Sequence, residues 1–191
     1  MGKIIISQNV TLDGVVEDPT GEVGFRHGGW FEQMTATDRE QWARVEFAEA
    51  KQAAALLLGR GSDTYFGTRW NSQTSDWAQR LNALPKYVIS STITEPVWVN
   101  GVVLKGDVVE EVTHLKEQID GEIIVYASRP LVHTLLEHDL VDEIRLFVFP
   151  IIAGQGERVF AALSDKHALR RVDVQAVGES LLHQTYQVLA R

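Results

Sequence analysis

Apolar residues in this chain fall into short runs separated by polar, glycine-containing stretches, and their spacing predicts the elements. Ile4 to Ser7 reads as a buried first strand. An irregular region from Asp13 to Thr37 follows, holding Gly14, Pro19, Gly21, Gly24, Gly28 and Gly29. A connection this long inside a compact domain usually carries function. Asp38 to Ala54 reads as a helix with Trp42, Val45 and Ala48 on one side. Strands and helices then alternate. Ala55 to Leu58 is a short apolar strand ending at Gly59, Trp77 to Leu84 a helix, and Lys86 to Ser90 a strand. Asp107 caps a helix with Val108, Val112, Leu115 and Ile119 on one face, and Glu110 completes a variant of a capping box. Ile123 to Tyr126 is the next strand, and Ser128 caps a helix carrying Leu131, Val132, Leu135 and Leu136.

The last third of the chain changes pattern. Ile144 to Ile152 is apolar on both faces, as in a central strand covered by helices on each side. Val172, Val174 and Ala176 alternate with polar residues, and after Gly178-Glu179-Ser180 a second strand pattern runs from Leu181 to Leu189. Two alternating runs around a glycine-containing turn predict an antiparallel hairpin. The sheet is therefore expected to be mixed, parallel through its middle and antiparallel at its C-terminal edge, unlike a doubly wound Rossmann sheet.

Length and charge narrow the options. The 191 residues, 45% of them hydrophobic, suit one domain spanning 1–191 with a substantial core. Cysteine is absent, which excludes disulfides, thiolate metal sites and a cysteine nucleophile. A net charge of −8 disfavours nucleic acid but leaves room for an anionic cofactor held by a few local donors. The apolar run at the N-terminus is too short for a signal peptide, and no stretch of about 18 apolar residues occurs, so a cytoplasmic protein without a membrane span is expected.

Chemistry-bearing residues collect just after strands. In Leu58-Gly59-Arg60-Gly61-Ser62, glycine permits close backbone approach, arginine can grip a phosphate bidentately, and Ser62 adds a donor at a helix start. A plain turn with a solvated arginine reads equally well. Ser90-Ser91-Thr92 suits a phosphate or ribose, although as an isolated triplet it reads first as a polar loop. Tyr126-Ala127-Ser128-Arg129-Pro130-Leu131 is a strand-to-helix turn that is either an anion site or an ordinary cap, and Pro130 removes one donor. Parallel strands would bring these segments to one carboxyl edge, where open α/β sheets bind ligands. Asp13, after the first strand, is a proton donor, a substrate contact or a turn residue. The glycines of Pro150 to Arg158 lack the third of a dinucleotide fingerprint. His133 and His138 do not share a helix face, so no metal site is expected, and no Gly-x-Ser-x-Gly elbow supports a hydrolase.

Taken in order, several segments resemble the reductase family represented by the C-terminal domain of the bacterial riboflavin-biosynthesis deaminase/reductase, and most closely its stand-alone, dihydrofolate-reductase-like relatives. They are Thr11-Leu12-Asp13-Gly14, Leu58-Gly59-Arg60, Lys86 to Thr92, Gly106-Asp107, Leu131 to Glu143, and Pro150 to Gly156 followed by Phe160. The resemblance implies a three-layer α/β/α dihydrofolate-reductase-like fold, NADPH as cofactor, a small-molecule substrate and a homodimer. It places Gly59, Arg60 and Ser62 on the cofactor phosphates. Ser90, Ser91 and Thr92 would flank the 2′-phosphate, and Ala127, Ser128, Arg129 and Leu131 the pyrophosphate. Family members usually carry glycine where this chain has Ala127. The expected activity is hydride transfer to a C=N or C=O bond of a small pterin- or pyrimidine-like heterocycle, with Asp13 as proton donor. The alternative is a non-catalytic NADPH-binding protein of the same fold.

Overall fold

The computed structural model describes residues 1–191. Eight strands form one sheet: β1 (Lys3–Thr11), β2 (Ala53–Gly59), β3 (Lys86–Ile89), β4 (Gly101–Leu104), β5 (Glu122–Tyr126), β6 (Glu143–Phe149), β7 (Leu169–Val177) and β8 (Leu181–Val188). Their order is β4-β3-β2-β5-β1-β6-β8-β7. The six strands from β4 to β6 are parallel, and β8 and β7 complete the sheet with antiparallel pairings. The mixed sheet expected from the sequence is therefore present.

Alternation along β1 divides the two faces. Ile4, Ile6 and Val10 pack with Val112 and Leu115 of α4 (Val108–Gln118) and with Leu131, Val132, Leu135 and Leu136 of α5 (Arg129–Glu137). Ile5 faces the other way, into a cluster with Leu56, Leu58 and Ile124. Ala50 of α1 (Ala36–Gln52), Leu81 of α3 (Asp76–Ala83) and Phe66 of α2 (Arg60–Trp70) cover that side. The result is three layers, with β1, β2 and β5 buried between two layers of helices because both of their faces are largely aliphatic. No helix is long and apolar enough to cross a membrane.

Several boundaries move for identifiable reasons. Helix α1 starts at Ala36 rather than Asp38, because Thr35 is the cap. The Thr35 hydroxyl accepts from the Asp38 amide while Asp38 reaches back to the Thr35 amide. At α4, Asp107 caps through the amides of Val109 and Glu110, but Glu111, not Glu110, returns to the backbone by accepting from Gly106. Strand β6 stops at Phe149, and Pro150 to Ile152 lie beyond it. In β7 the apolar residues Val172 and Val174 are exposed rather than packed, because β7 is the edge strand of the sheet. Strand β4, four residues with an exposed Val102, was too short to read from its pattern.

Candidate active site

Strands β2, β3, β4 and β5 end level with one another. Gly59 pairs in register with Ile89, Ile89 with Leu104, and Leu56 with Ile124 on the other side of β2. Arg60, Ser90 and Ala127 follow directly at the carboxyl edge, so the three segments singled out in the sequence share one rim. Helices α2 and α5 both start here. Neither carries a side-chain cap, so the positive ends of two helix dipoles are left to other partners.

The two starts are bonded to each other. Ser128 donates from its amide to Ser62 Oγ at 3.0 Å and from its hydroxyl to the same oxygen at 2.8 Å. The Gly59 amide donates to Ser128 Oγ at 3.0 Å. Ser128 thus occupies the capping position of α5 but spends its hydroxyl on α2, which corrects the simple cap read from the sequence. Ser62 is buried in this link rather than displayed to a ligand. The turn before α5 is left-handed at two consecutive residues, Ala127 (φ 49) and Ser128 (φ 54). That conformation favours glycine, so the sequence departure at Ala127 falls where backbone freedom is needed. Gln8 of β1 steadies the turn, its amide donating to the Ala127 carbonyl at 2.7 Å.

The other expected residues divide between rim and interior. Arg60 and Gly61 are exposed, and a Cβ on Gly61 would meet nothing within 4 Å. Ser91 and Thr92 are exposed as well, while the Ser90 hydroxyl accepts from the Thr92 amide at 3.2 Å and shapes the turn after β3. Arg129 stands at the first position of α5 and pairs with Glu157. The side chain of Leu131 belongs to the core, so only its backbone faces the rim.

Asp13 has a structural post. Its carboxylate accepts from Thr11 Oγ1 at 2.7 Å and from the amides of Ala153 and Gly154 at 3.0 and 2.9 Å, and Arg158 lies 3.4 Å away. The Thr11 hydroxyl, with those two amides, holds its pKa down at about 2 against the opposing effect of desolvation. Through these bonds the Asp13 carboxylate joins the loop after β1 to the loop after β6.

A second carboxyl group, not legible in the sequence pattern, lies on the α1 side of the sheet with a raised pKa. Asn9 of β1 accepts from Trp42 Nε1 at 2.9 Å and donates to Glu46 at 3.4 Å. Ser7 pairs in register with Tyr126, so Asn9 sits one strand away from the Ala127–Ser128 turn. Desolvation, with the neighbouring charge of Glu49, pushes Glu46 up to about 8. Glu49 is raised by burial too, although Arg145 lies 3.0 Å from it. Half-buried rings of Phe31, Trp42, Trp77 and Trp70 run from the long loop across α1 to α2, with successive centroids 5.5, 5.7 and 5.2 Å apart. Trp77 Nε1 lies buried near these rings without a hydrogen-bond partner, and Tyr126 is buried beside Glu49. The sequence signal was present but faint: Trp42, Glu46 and Glu49 follow at helical spacing, and Ser7 and Asn9 share a face of β1. A cavity of about 520 Å³ opens on the far side of α1, towards β6, β8 and β7, and Glu46 lines its wall.

Comparison with known proteins agrees with this architecture. The family model described as the RibD C-terminal domain matches residues 2–183. The YyaP protein of Bacillus subtilis (strain 168), itself uncharacterized, is 27% identical over 192 residues, covering 96% of this chain and 94% of its own length. A riboflavin biosynthesis protein of Shewanella sp. PV-4 superposes with a TM-score of 0.76 at 21% identity, covering 98% of this chain and 99% of that one. Dihydrofolate reductase from Enterococcus faecalis, solved with NADP(H), superposes with a TM-score of 0.59 at 13% identity over 98% and 97% of the two chains. The likenesses to these two solved structures establish the dihydrofolate-reductase-like fold.

Proposed function

Because the chain belongs to the RibD C-terminal domain family, we propose that it is an NADPH-dependent reductase acting on a small, flat heterocycle. The observation that carries this reading is the pair of uncapped helix starts, α2 and α5, tied together at one sheet edge by Ser62 and Ser128. Two converging dipoles with exposed backbone at Gly61 suit a pyrophosphate, which needs amide donors and positive potential more than side-chain volume. Arg60 lies on the rim between that point and the exposed hydroxyls after β3, so a 2′-phosphate would meet Arg60 with Ser91 and Thr92.

When bound, NADPH would supply a hydride from its nicotinamide ring. The protein's task is then position and proton. The nicotinamide half would extend from the Ala127 turn towards the end of β1, under the loop that follows Thr11. The half-exposed rings of Phe31, Trp42, Trp77 and Trp70 offer stacking surface for a flat ring. Glu46, protonated near neutral pH, would give its proton to the nitrogen or oxygen of the reduced bond, with Asn9 fixing the carboxyl. Activity should accordingly fall as pH rises through about 8.

Calorimetric titration with NADPH and NADH tests the cofactor assignment. NADPH is expected to bind more tightly, and Arg60→Ala should weaken NADPH by roughly 10- to 100-fold with little change for NADH. Equal losses for both cofactors would refute the 2′-phosphate assignment. A second reading is favoured by Ala127: a left-handed alanine where the family usually has glycine suits a protein that binds NADPH without turning it over. NADPH binding with no oxidation against any pterin or pyrimidine acceptor would select that reading. A homodimer would meet on the exposed Val172 and Val174 of the edge strand β7, and sedimentation velocity would detect it.

A further inference from the structure

Arg129 begins α5, beside the point where the two uncapped helix starts meet. Its guanidinium is already engaged, forming an ion pair with Glu157 in the loop after β6. Glu157 is held there by its own backbone. Its amide donates to Glu17 at 3.0 Å, and its carbonyl accepts from the Val16 amide at 2.8 Å. The same loop is fastened along α5 one turn further on, where His133 Nε2 lies 2.9 Å from the Val159 carbonyl. Arg129 is thereby drawn along its helix towards the loop. At the other helix start, Arg60 has no carboxylate within ion-pair distance.

We propose that Glu157 occupies, on Arg129, the place of a cofactor phosphate oxygen, and so sets the affinity of the site for a pyrophosphate. This rests on the cofactor reading of the strand edge. A carboxylate and a phosphate take the same planar fork of a guanidinium, so Arg129 cannot serve both fully. A phosphodiester arriving at α5 must displace Glu157, and a Glu157 that stayed would face it as a like charge. The pair is exchangeable because it is open to water, with side chains 32% and 52% exposed, and ion pairs of that exposure contribute little to stability. Its place at the helix start gives it a stronger effect on binding than on folding.

NADPH titration of the wild-type protein, Glu157→Gln, Arg129→Ala and the double variant tests this. Glu157→Gln is expected to bind NADPH about three- to tenfold more tightly, with an unchanged thermal midpoint. Arg129→Ala should weaken binding. In that background, adding Glu157→Gln should change affinity by less than about twofold, because the exchanged partner is gone. A wild-type protein that binds NADPH while Glu157→Gln binds no tighter would overturn the proposal and leave the cofactor reading intact. Absence of binding by both would sink the cofactor reading and the proposal with it, whereas binding by Glu157→Gln alone would support both. Glu157→Ala repeats the test should the glutamine variant fold poorly.

Discussion

Ser128 Oγ donates a 2.8 Å hydrogen bond to Ser62 Oγ across 66 residues of sequence, and with the Ser128 and Gly59 amides it joins the starts of α2 and α5. Through it the ends of β2 and β5 are held level at the rim.

Ser128→Ala removes the hydroxyl that accepts from the Gly59 amide and donates to Ser62. A buried amide left without its partner costs about 1–3 kcal/mol. Urea denaturation should show a loss in that range, and NADPH affinity should fall with it. Unchanged stability would mean that water replaces the hydroxyl and that the link is not structural.

Ala127 sits at φ 49. Glycine adopts that conformation freely, whereas alanine pays a steric penalty partly offset by the greater entropy of an unfolded glycine. Ala127→Gly is expected to raise stability by about 0.5–1 kcal/mol, measured by chemical denaturation, and to tighten NADPH binding by letting the backbone approach the pyrophosphate.

Glu46 supplies a pH signature. Its folded pKa, about 8, lies above the ordinary 4.5, so its contribution to stability is fully present below 4.5 and is lost as pH rises through 8. Arg145 pairs with Glu49, the neighbour of Glu46, and also with Glu122 and Glu143, and His183 and Asp173 face the same cavity from β8 and β7. Glu46→Gln keeps the shape without the titration. Between pH 5 and 9 the wild type should lose stability that the variant retains, and parallel curves would show that Glu46 is ionised throughout. If the acid role is right, the same variant lowers turnover and removes the alkaline limb of the pH profile.

Asp38 works in the opposite direction. It completes the α1 cap and accepts from the amides of Glu179 and Ser180 and from the Ser180 hydroxyl, joining α1 to the β7–β8 turn. Desolvation raises its pKa, but those donors outweigh it and hold the group at about 2. Its stabilisation is present above 3.8 and is lost as pH falls through 2. Asp38→Ala should cost roughly 3–5 kcal/mol at neutral pH, because several buried donors lose their acceptor at once. A thermal midpoint within a degree or two of wild type would contradict this.

Much of the fold was legible because burial on both faces writes itself into composition. Ile4-Ile5-Ile6, Leu56-Leu57-Leu58 and Ile123-Ile124-Val125 are continuous aliphatic runs, and such runs suit only strands sandwiched between helices. The residues after them, Gly59-Arg60, Ser90-Ser91-Thr92 and Ala127-Ser128, were marked as a rim because parallel strands must end on one side. The polar face beneath α1 was not legible. Glu46 and Glu49 look like ordinary solvated helix charges until a sheet carrying Ser7, Asn9 and Arg145 is placed against them.

Local pattern by itself determined the alternation of strands and helices, the mixed sheet, and the edge at which ligands would gather, because hydrophobic period and turn chemistry act over a few residues. Tertiary structure alone decided how each rim residue is used. It turned Ser62 and Ser128 towards each other, engaged the Asp13 carboxylate with two backbone amides, paired Arg129 with Glu157, and pushed the pKa of Glu46 up by burial. The physical reason is range. Hydrogen-bond partners and desolvation come from segments as much as 145 residues away, and a side chain's charge and direction follow from what the fold packs against it.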